Sequence, residues 1–220
     1  MRLRNIPGAE EAVAACPFVI HDPYSFRGRW TESFGNERPI HIEVGMGKGQ
    51  FLFGQAEANP NVNYIGIERY TSVLLRAIQK LDNENPPKNI RFLCVDAAEL
   101  NDIFSENEIS GIYLNFSDPW PKERHAHRRL TSDAFLARYD KILIPGGTIE
   151  FKTDNRALFD FSLEEIGVSH AFEVVQFTCD LHRTPQLCAG NIMTEYERKF
   201  SKLGKPICKL IAVHKKNDIA

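Results

Sequence analysis

The chain has 220 residues, 43% of them hydrophobic and 25% charged, with a formal net charge of −2. That length suits one domain with a sizeable core, and no run of about 20 apolar residues is present to span a membrane. A slightly acidic balance excludes bulk electrostatic coating of nucleic acid, so any such contact must rest on a local basic patch.

The opening Met1-Arg2-Leu3-Arg4-Asn5-Ile6-Pro7 has no apolar signal core, which points to the cytoplasm. Five cysteines (Cys16, Cys94, Cys179, Cys188 and Cys208) show no C-x-x-C spacing. They suggest neither a disulfide framework nor a zinc site. Residues 1–38 hold Pro7, Pro17, Pro23 and isolated aromatics without a period. They read as an N-terminal extension, packed on the domain or reaching toward substrate, ahead of a domain over 39–220.

From residue 39 short apolar runs alternate with helical segments. The first strand, Ile40–Val44, runs into Glu43-Val44-Gly45-Met46-Gly47-Lys48-Gly49 and then a helix over Gln50–Ala58. Glycines let the backbone turn sharply and approach a ligand. A dinucleotide fingerprint wants glycine where Gln50 stands, and a P-loop wants Ser or Thr where Gly49 stands. The pattern E-x-G-x-G-x-G instead resembles the first motif of class I methyltransferases, with Glu43 near an amino-acid ammonium. A second strand, Asn63–Ile67, ends at Glu68, whose carboxylate can accept hydrogen bonds from both ribose hydroxyls of a nucleoside. A solvated strand-end charge is the alternative. A helix over Thr71–Asn83 follows. The third strand, Ile90–Val95, ends at Asp96-Ala97-Ala98. Asp96 suits the exocyclic amine of an adenine, and Ala97 leaves room for the ring. It equally suits the N-cap of a helix over Ala98–Phe104. Together the strand-end acids describe a pocket for S-adenosylmethionine.

The fourth strand, Gly111–Phe116, leads into Ser117-Asp118-Pro119-Trp120-Pro121-Lys122-Glu123-Arg124-His125-Ala126-His127-Arg128-Arg129. Its prolines stiffen the loop. Lys122, Arg124, Arg128 and Arg129 suit phosphates, and His125 and His127 add donors. The alternative is a solvated charged loop. Trp120 either stacks on an unstacked base or packs in the core. No metal-ligand spacing is present. A helix over Ser132–Ile142 and a strand over Thr148–Lys152 precede Asp154. That carboxylate suits the N1–H and N2–H edge of guanine, or the N-cap of a helix over Asn155–Ile166. A strand over Phe172–Thr178, a helix over Thr194–Leu203 and a strand over Ile207–His214 close the chain, the two strands suiting a hairpin-like pair at one sheet edge. By itself, Thr194-Glu195-Tyr196-Glu197 reads as a helix start with a charged face.

Strand–helix alternation argues for a parallel sheet covered on both faces. The expected class is α/β: a class I methyltransferase Rossmann-like three-layer sandwich, its seven-stranded sheet mostly parallel with the last strand antiparallel. The long D-P-W-P-K-x-R-H segment, the glycine motif, Phe151-Lys152-Thr153-Asp154-Asn155 and Thr194-Glu195-Tyr196-Glu197 occur in order. From about Ile40 to about Phe200 the chain resembles the bacterial tRNA (guanine-N7-)-methyltransferase family, the TrmB type. The resemblance implies methyl transfer from S-adenosylmethionine to N7 of a variable-loop guanosine of tRNA, position 46 in tRNA numbering. It implies Asp118 as the catalytic residue. It implies a donor site of Glu43, Gly45, Gly47, Glu68, Asp96, Ala97 and Asp118. Substrate would be held by Lys122, Asp154, Thr194, Glu195, Tyr196 and Glu197, and RNA contacted along Arg124, His125, Ala126, His127, Arg128 and Arg129. No metal and no membrane enter, and the chain acts as a monomer or homodimer. Glu123 and His127 stand where the family often has Lys or Arg, which weakens the local positive field. A methyltransferase for a small molecule or protein is the rival reading, and the basic run argues against it. A non-catalytic RNA-binding relative would have lost the donor acids or Asp118, and all are present.

Overall fold

The computed structural model describes residues 6–81 and 84–215. Side chains alternate between the two faces of a strand, and β1 (Ile40–Val44) sets the pattern. Ile40, Ile42 and Val44 enter one apolar layer, while His41 on the other face packs against Tyr64 and Tyr113. β2 (Asn63–Ile67) is buried at every position, as a central parallel strand must be. β3 (Ile90–Leu93), β4 (Ile109–Asn115), β5 (Leu143–Thr153), β6 (Phe172–Thr178) and β7 (Cys208–His214) complete a seven-stranded sheet of order β3-β2-β1-β4-β5-β7-β6. β1 to β5 pair in parallel, and β7 runs antiparallel to both β5 and β6. The expected class and the edge pairing of the last two strands are both present, with β6 outermost.

Helices cover both faces. α2 (Trp30–Phe34), α5 (Leu100–Ile103), α6 (Asp133–Ile142) and α7 (Arg156–Val168) supply Trp30, Ile103, Tyr139 and Phe159 to one core layer. α1 (Ala9–Ala14), α3 (Gln50–Ala58) and α4 (Thr71–Ile78) supply Val13, Leu52 and Leu74 to the other. α8 (Pro185–Cys188) and α9 (Glu195–Lys202) lie between β6 and β7 in sequence. Strand order reverses at β1 and β4, which opens a crevice beyond the carboxyl ends of the strands. Among the described residues no helix is long and apolar enough to cross a membrane.

Several boundaries differ from expectation for local reasons. The fourth strand starts at Ile109 and stops at Asn115, because Phe116 takes a left-handed φ of 51°. β5 begins at Leu143 instead of Thr148, with Ile109 pairing to Leu143 before a register shift. The third strand ends at Leu93, and the helix after it opens as a 3-10 turn over Ala97–Glu99. α4 ends at Ile78, and the expected end of that helix at Asn83 lies outside the described residues.

The aperiodic N-terminal segment is built into the same body. Trp30 is fully buried, its indole Nε1–H donates to the Ile103 carbonyl at 3.0 Å, and the Phe26 and Phe104 rings flank it at 5.4 and 5.3 Å. The Glu108 carboxylate accepts from the backbone N–H groups of Gly28, Trp30 and Ser105 at 3.0, 3.0 and 2.8 Å. Along the β3 edge, Phe92 N–H donates to the Phe18 carbonyl at 2.8 Å and Ile20 N–H to the Phe92 carbonyl at 3.0 Å. Loss of a fully buried ring costs about 3–5 kcal/mol. Trp30→Ala should therefore lower the unfolding free energy by that amount in urea titrations. A loss under about 1 kcal/mol, the range of ordinary substitutions, would mean that this segment is not integral to the core.

Candidate active site

Beyond β1 the chain turns through Gly45, Gly47 and Gly49, with φ of 76°, 58° and 74°, angles that residues with a Cβ rarely adopt. A Cβ on Gly45 or Gly47 would meet no atom within 4 Å, so the loop faces open space there, whereas at Gly49 it would press on Ala77 and Phe53 at 3.1 Å. The loop is latched to β2. Gly45 and Met46 N–H donate to the Ile67 carbonyl at 2.9 and 3.0 Å, and Gly47 N–H donates to one Glu68 carboxylate oxygen at 3.3 Å. The other Glu68 oxygen accepts from Tyr70 N–H at 2.9 Å. Burial pushes the Glu68 carboxyl up, and these backbone bonds oppose the shift.

Glu43 is the most desolvated acid of this end, at 2% exposure. One oxygen accepts from Asn115 Nδ2 at 2.9 Å. The other has no hydrogen-bond partner among the described residues, an omission that costs about 1–3 kcal/mol until a donor arrives. Burial pushes this carboxyl up to about 8, opposed by the Asn115 bond and the Lys152 charge. Asp96 does serve as a cap: it accepts from Ala98 N–H at 3.0 Å while Glu99 accepts from Asp96 N–H at 3.2 Å. Its second oxygen pairs with Arg69 at 3.4 Å. Ala97 starts the 3-10 turn so formed. Tyr24, from the N-terminal segment, donates its hydroxyl to the Glu99 carboxylate.

The segment after β4 is held under backbone strain. Phe116 and Trp120 have φ of 51° and 42° and bracket Asp118; such angles are uncommon outside glycine and cluster at functional sites. Arg129 fixes the turn by donating from Nε to the Pro119 carbonyl and from Nη2 to the Trp120 carbonyl, both at 3.1 Å. Its guanidinium also lies 4.2 Å from the Phe161 ring centroid. Trp120 lies outside the core clusters, with the Arg128 guanidinium 5.0 Å over its ring and the His125 ring at 5.9 Å. Asp118 is exposed and, among the described residues, has no hydrogen-bond or ion-pair partner. Lys122, Arg124, His127 and Arg128 are exposed along a 3-10 turn over Glu123–Arg128, with His125 and Ala126 half-buried within it. Arg124 Nε lies 3.3 Å from His125 Nε2.

Past β5 the N-cap of α7 is Asn155, which accepts from Leu158 N–H at 2.9 Å. Asp154 is therefore not the cap, and pairs with Lys205 at 3.3 Å. Thr194 caps α9 by accepting from Glu197 N–H at 2.9 Å. Glu195 pairs with Lys80 at 2.7 Å and with Lys48 of the glycine loop at 3.1 Å. Tyr196 is 52% exposed, and its ring stacks with Phe116 and Phe200 at 6.3 and 6.2 Å. Glu197 is 0% exposed and faces inward. Its carboxylate accepts from Lys152 Nζ at 2.7 Å and from Asn191 Nδ2 at 2.6 Å. Lys152 completes its three donors with Asn191 Oδ1 at 3.0 Å and the Ile192 carbonyl at 2.9 Å.

The sequence reading passed over Asn115, Lys152 and Asn191, and took Arg129 only for a phosphate contact. A signal for Lys152 was present: a charged residue inside the apolar run of β5 must be paired if buried. Asn191 reaches Lys152 and Glu197 with its side-chain amide from a loop, and Arg129 holds backbone carbonyls; spacing reveals neither.

A family model described as "Putative methyltransferase" matches residues 37–210. The tRNA (guanine-N(7)-)-methyltransferase of Lachnoclostridium phytofermentans is 56% identical over 216 residues, covering 98% of this chain and 100% of that protein. The Bacillus subtilis protein of the same name is 47% identical, covering 94% of this chain and 96% of its own. Among solved structures, the 16S rRNA methyltransferase KamB superposes with a TM-score of 0.63 at 14% identity, over 86% of this chain and 94% of that one. At that identity the superposition speaks for the fold alone. With relatives this similar over nearly their whole length, the chain belongs to the tRNA (guanine-N(7)-)-methyltransferase family.

Proposed function

We propose that this protein transfers a methyl group from S-adenosylmethionine to N7 of a guanosine in the variable loop of tRNA, position 46 in tRNA numbering, forming 7-methylguanosine in the cytoplasm. Residues 39–220 form the methyltransferase domain in this reading, and 1–38 its N-terminal extension. The observation that carries it is Asp118: an exposed carboxylate with no partner among the described residues, in a strained loop that runs directly into a series of exposed cations.

The residues at the strand ends fit the donor. Gly45 and Gly47 border open space, Glu43 has an oxygen without a partner among the described residues that suits an ammonium, and Glu68 and Asp96 suit ribose hydroxyls and an adenine amine, with Ala97 beside the ring. When bound, the donor supplies an electrophilic methyl on a sulfonium. Guanine N7 carries an in-plane lone pair and no proton, so no side chain has to act as a base. Asp118 orients the guanine and faces the positive charge that develops on it. Asp154 accepts from the N1–H and N2–H edge. Lys122, Arg124, His127 and Arg128 contact phosphates, with His125 and Ala126 shaping the turn between them. Arg129 is a positioning residue for Pro119 and Trp120. Thr194 and Glu197 position Glu195 and Tyr196 from behind, since Glu197 is wholly buried. Alignment of this kind lowers a barrier by on the order of 7–11 kcal/mol.

Incubation with unmodified tRNA and S-adenosylmethionine should yield 7-methylguanosine on nucleoside mass analysis, mapped to the variable loop; another product, or another position, would overturn the assignment. Asp118→Ala should reduce turnover at least about 100-fold, the usual size of a lost transition-state contact, with donor affinity mostly retained because Glu43, Glu68 and Asp96 remain. Wild-type turnover in that variant would remove Asp118 from the chemistry. Glu43 gives a pH signature. With its carboxyl at about 8 it is mostly protonated at pH 7 in the free protein, and a bound ammonium favours the charged form. Binding should then release close to one proton at pH 7, falling toward none well above pH 8. Calorimetry in two buffers of different ionisation enthalpy reads this directly. Glu43→Gln should abolish the buffer dependence, and equal heats for the wild type would exclude Glu43 from the ammonium.

A further inference from the structure

The outward face of α9 carries cations that neither the donor site nor the base site uses. Glu197 points into the core. At 3.6 residues per turn, Lys199 and Lys202 fall on the opposite side and Arg198 about a quarter-turn round from Glu197, and all three are exposed. The acids around them are already taken: Glu195 by Lys48 and Lys80, Glu197 by Lys152, and Asp154 by Lys205. Arg198, Lys199 and Lys202 thus have no ion-pair partner among the described residues. In a chain of net charge −2, three uncompensated cations within five positions make a local positive field, not a reflection of bulk charge.

The location of this face gives it meaning. α9 and the turn that follows it stand over the carboxyl ends of three strands at once. Glu195 reaches Lys48 after β1, Phe116 after β4 stacks on Tyr196 and Phe200, and Asp154 after β5 meets Lys205. The cations therefore flank the same crevice as the Lys122–Arg129 segment. An exposed aromatic ring, Tyr196, lies beside them. Cations with an exposed ring form the pattern that binds nucleic acid by phosphate contact and stacking. A membrane surface fits poorly, because the apolar side of α9 is already packed inward and leaves nothing to insert.

We propose that Arg198, Lys199 and Lys202 form a second docking wall for the tRNA backbone, gripping phosphates on the side of the crevice away from the Lys122–Arg129 segment. The inference rests on tRNA being the substrate. The test uses the full chain and unmodified tRNA, with affinity read by fluorescence anisotropy between about 50 and 200 mM salt. The variant R198Q/K199Q/K202Q removes the wall. The variant K88Q/K141Q removes exposed cations that precede β3 and β5, at the opposite end of the sheet. The triple variant should bind tRNA about tenfold more weakly at low salt, with the slope of log K against log salt shallower by about 2. Its S-adenosylmethionine affinity and thermal melt should match wild type, and K88Q/K141Q should keep the wild-type slope. Lys199→Glu alone, a smaller perturbation of the helix, should weaken binding in the same direction. An unchanged slope in the triple variant, or an equal loss in K88Q/K141Q, overturns the proposal. Methylation of tRNA by the wild type is scored separately, so failure of the substrate assignment is distinguishable from failure of this wall.

Discussion

The site depends on one buried ion pair, Lys152 with Glu197. Removing two charges from water costs several kcal/mol each, and the arrangement is tolerable only if the remaining donors and acceptors are met. Here they are. Lys152 spends its three protons on Glu197, Asn191 and the Ile192 carbonyl, and Glu197 receives a second bond from Asn191. Burial pulls the Lys152 ammonium down and Glu197 holds it up. An apolar contact of equal area would hold α9 with similar strength but without direction. The pair fixes which side of α9 faces the core, and hence which side shows Glu195, Tyr196 and the cations to the crevice. It also joins β5 to the stretch before α9 through Asn191 and Ile192.

A different balance governs the donor end. Glu43, Glu68 and Asp96 gather at neighbouring strand ends with few cations among them. Their mutual repulsion is managed by backbone N–H groups at Glu68 and Asp96 and by neutralisation at Glu43. Protonation lets Glu43 stay buried where the nearby Lys152 charge does not offset its desolvation.

Much of this was legible in the residues. Short apolar runs between helical segments located all seven strands, and three of them, Ile40–Val44, Asn63–Ile67 and Phe172–Thr178, match the structure at both ends. Boundaries failed where backbone geometry overrode side-chain pattern, at Phe116 with its left-handed φ and at the register shift that lengthens β5. The N-terminal segment was opaque because its elements are short and take their stability from tertiary contacts such as Trp30 and Glu108, which leave no period. At the site, the strand-end acids were legible as a set. The inward turn of Glu197 was not, since a motif read as binding substrate also contains the residues that hold the motif in place.

The two hydrogen bonds between Phe92 and the Phe18–Ile20 stretch have a consequence for how copies of this chain can associate. Open sheet edges invite strand addition, and a filament grown that way needs a free edge at each side of every subunit. At β3 the groups that would pair with a neighbour are occupied by the chain's own N-terminal segment. Among the described residues, β6 is the one strand that presents a long open edge, with Val175 and Phe177 exposed along it. Strand addition through β6 terminates at two copies, so the segment before the first strand is a barrier to polymerisation as much as a part of the core.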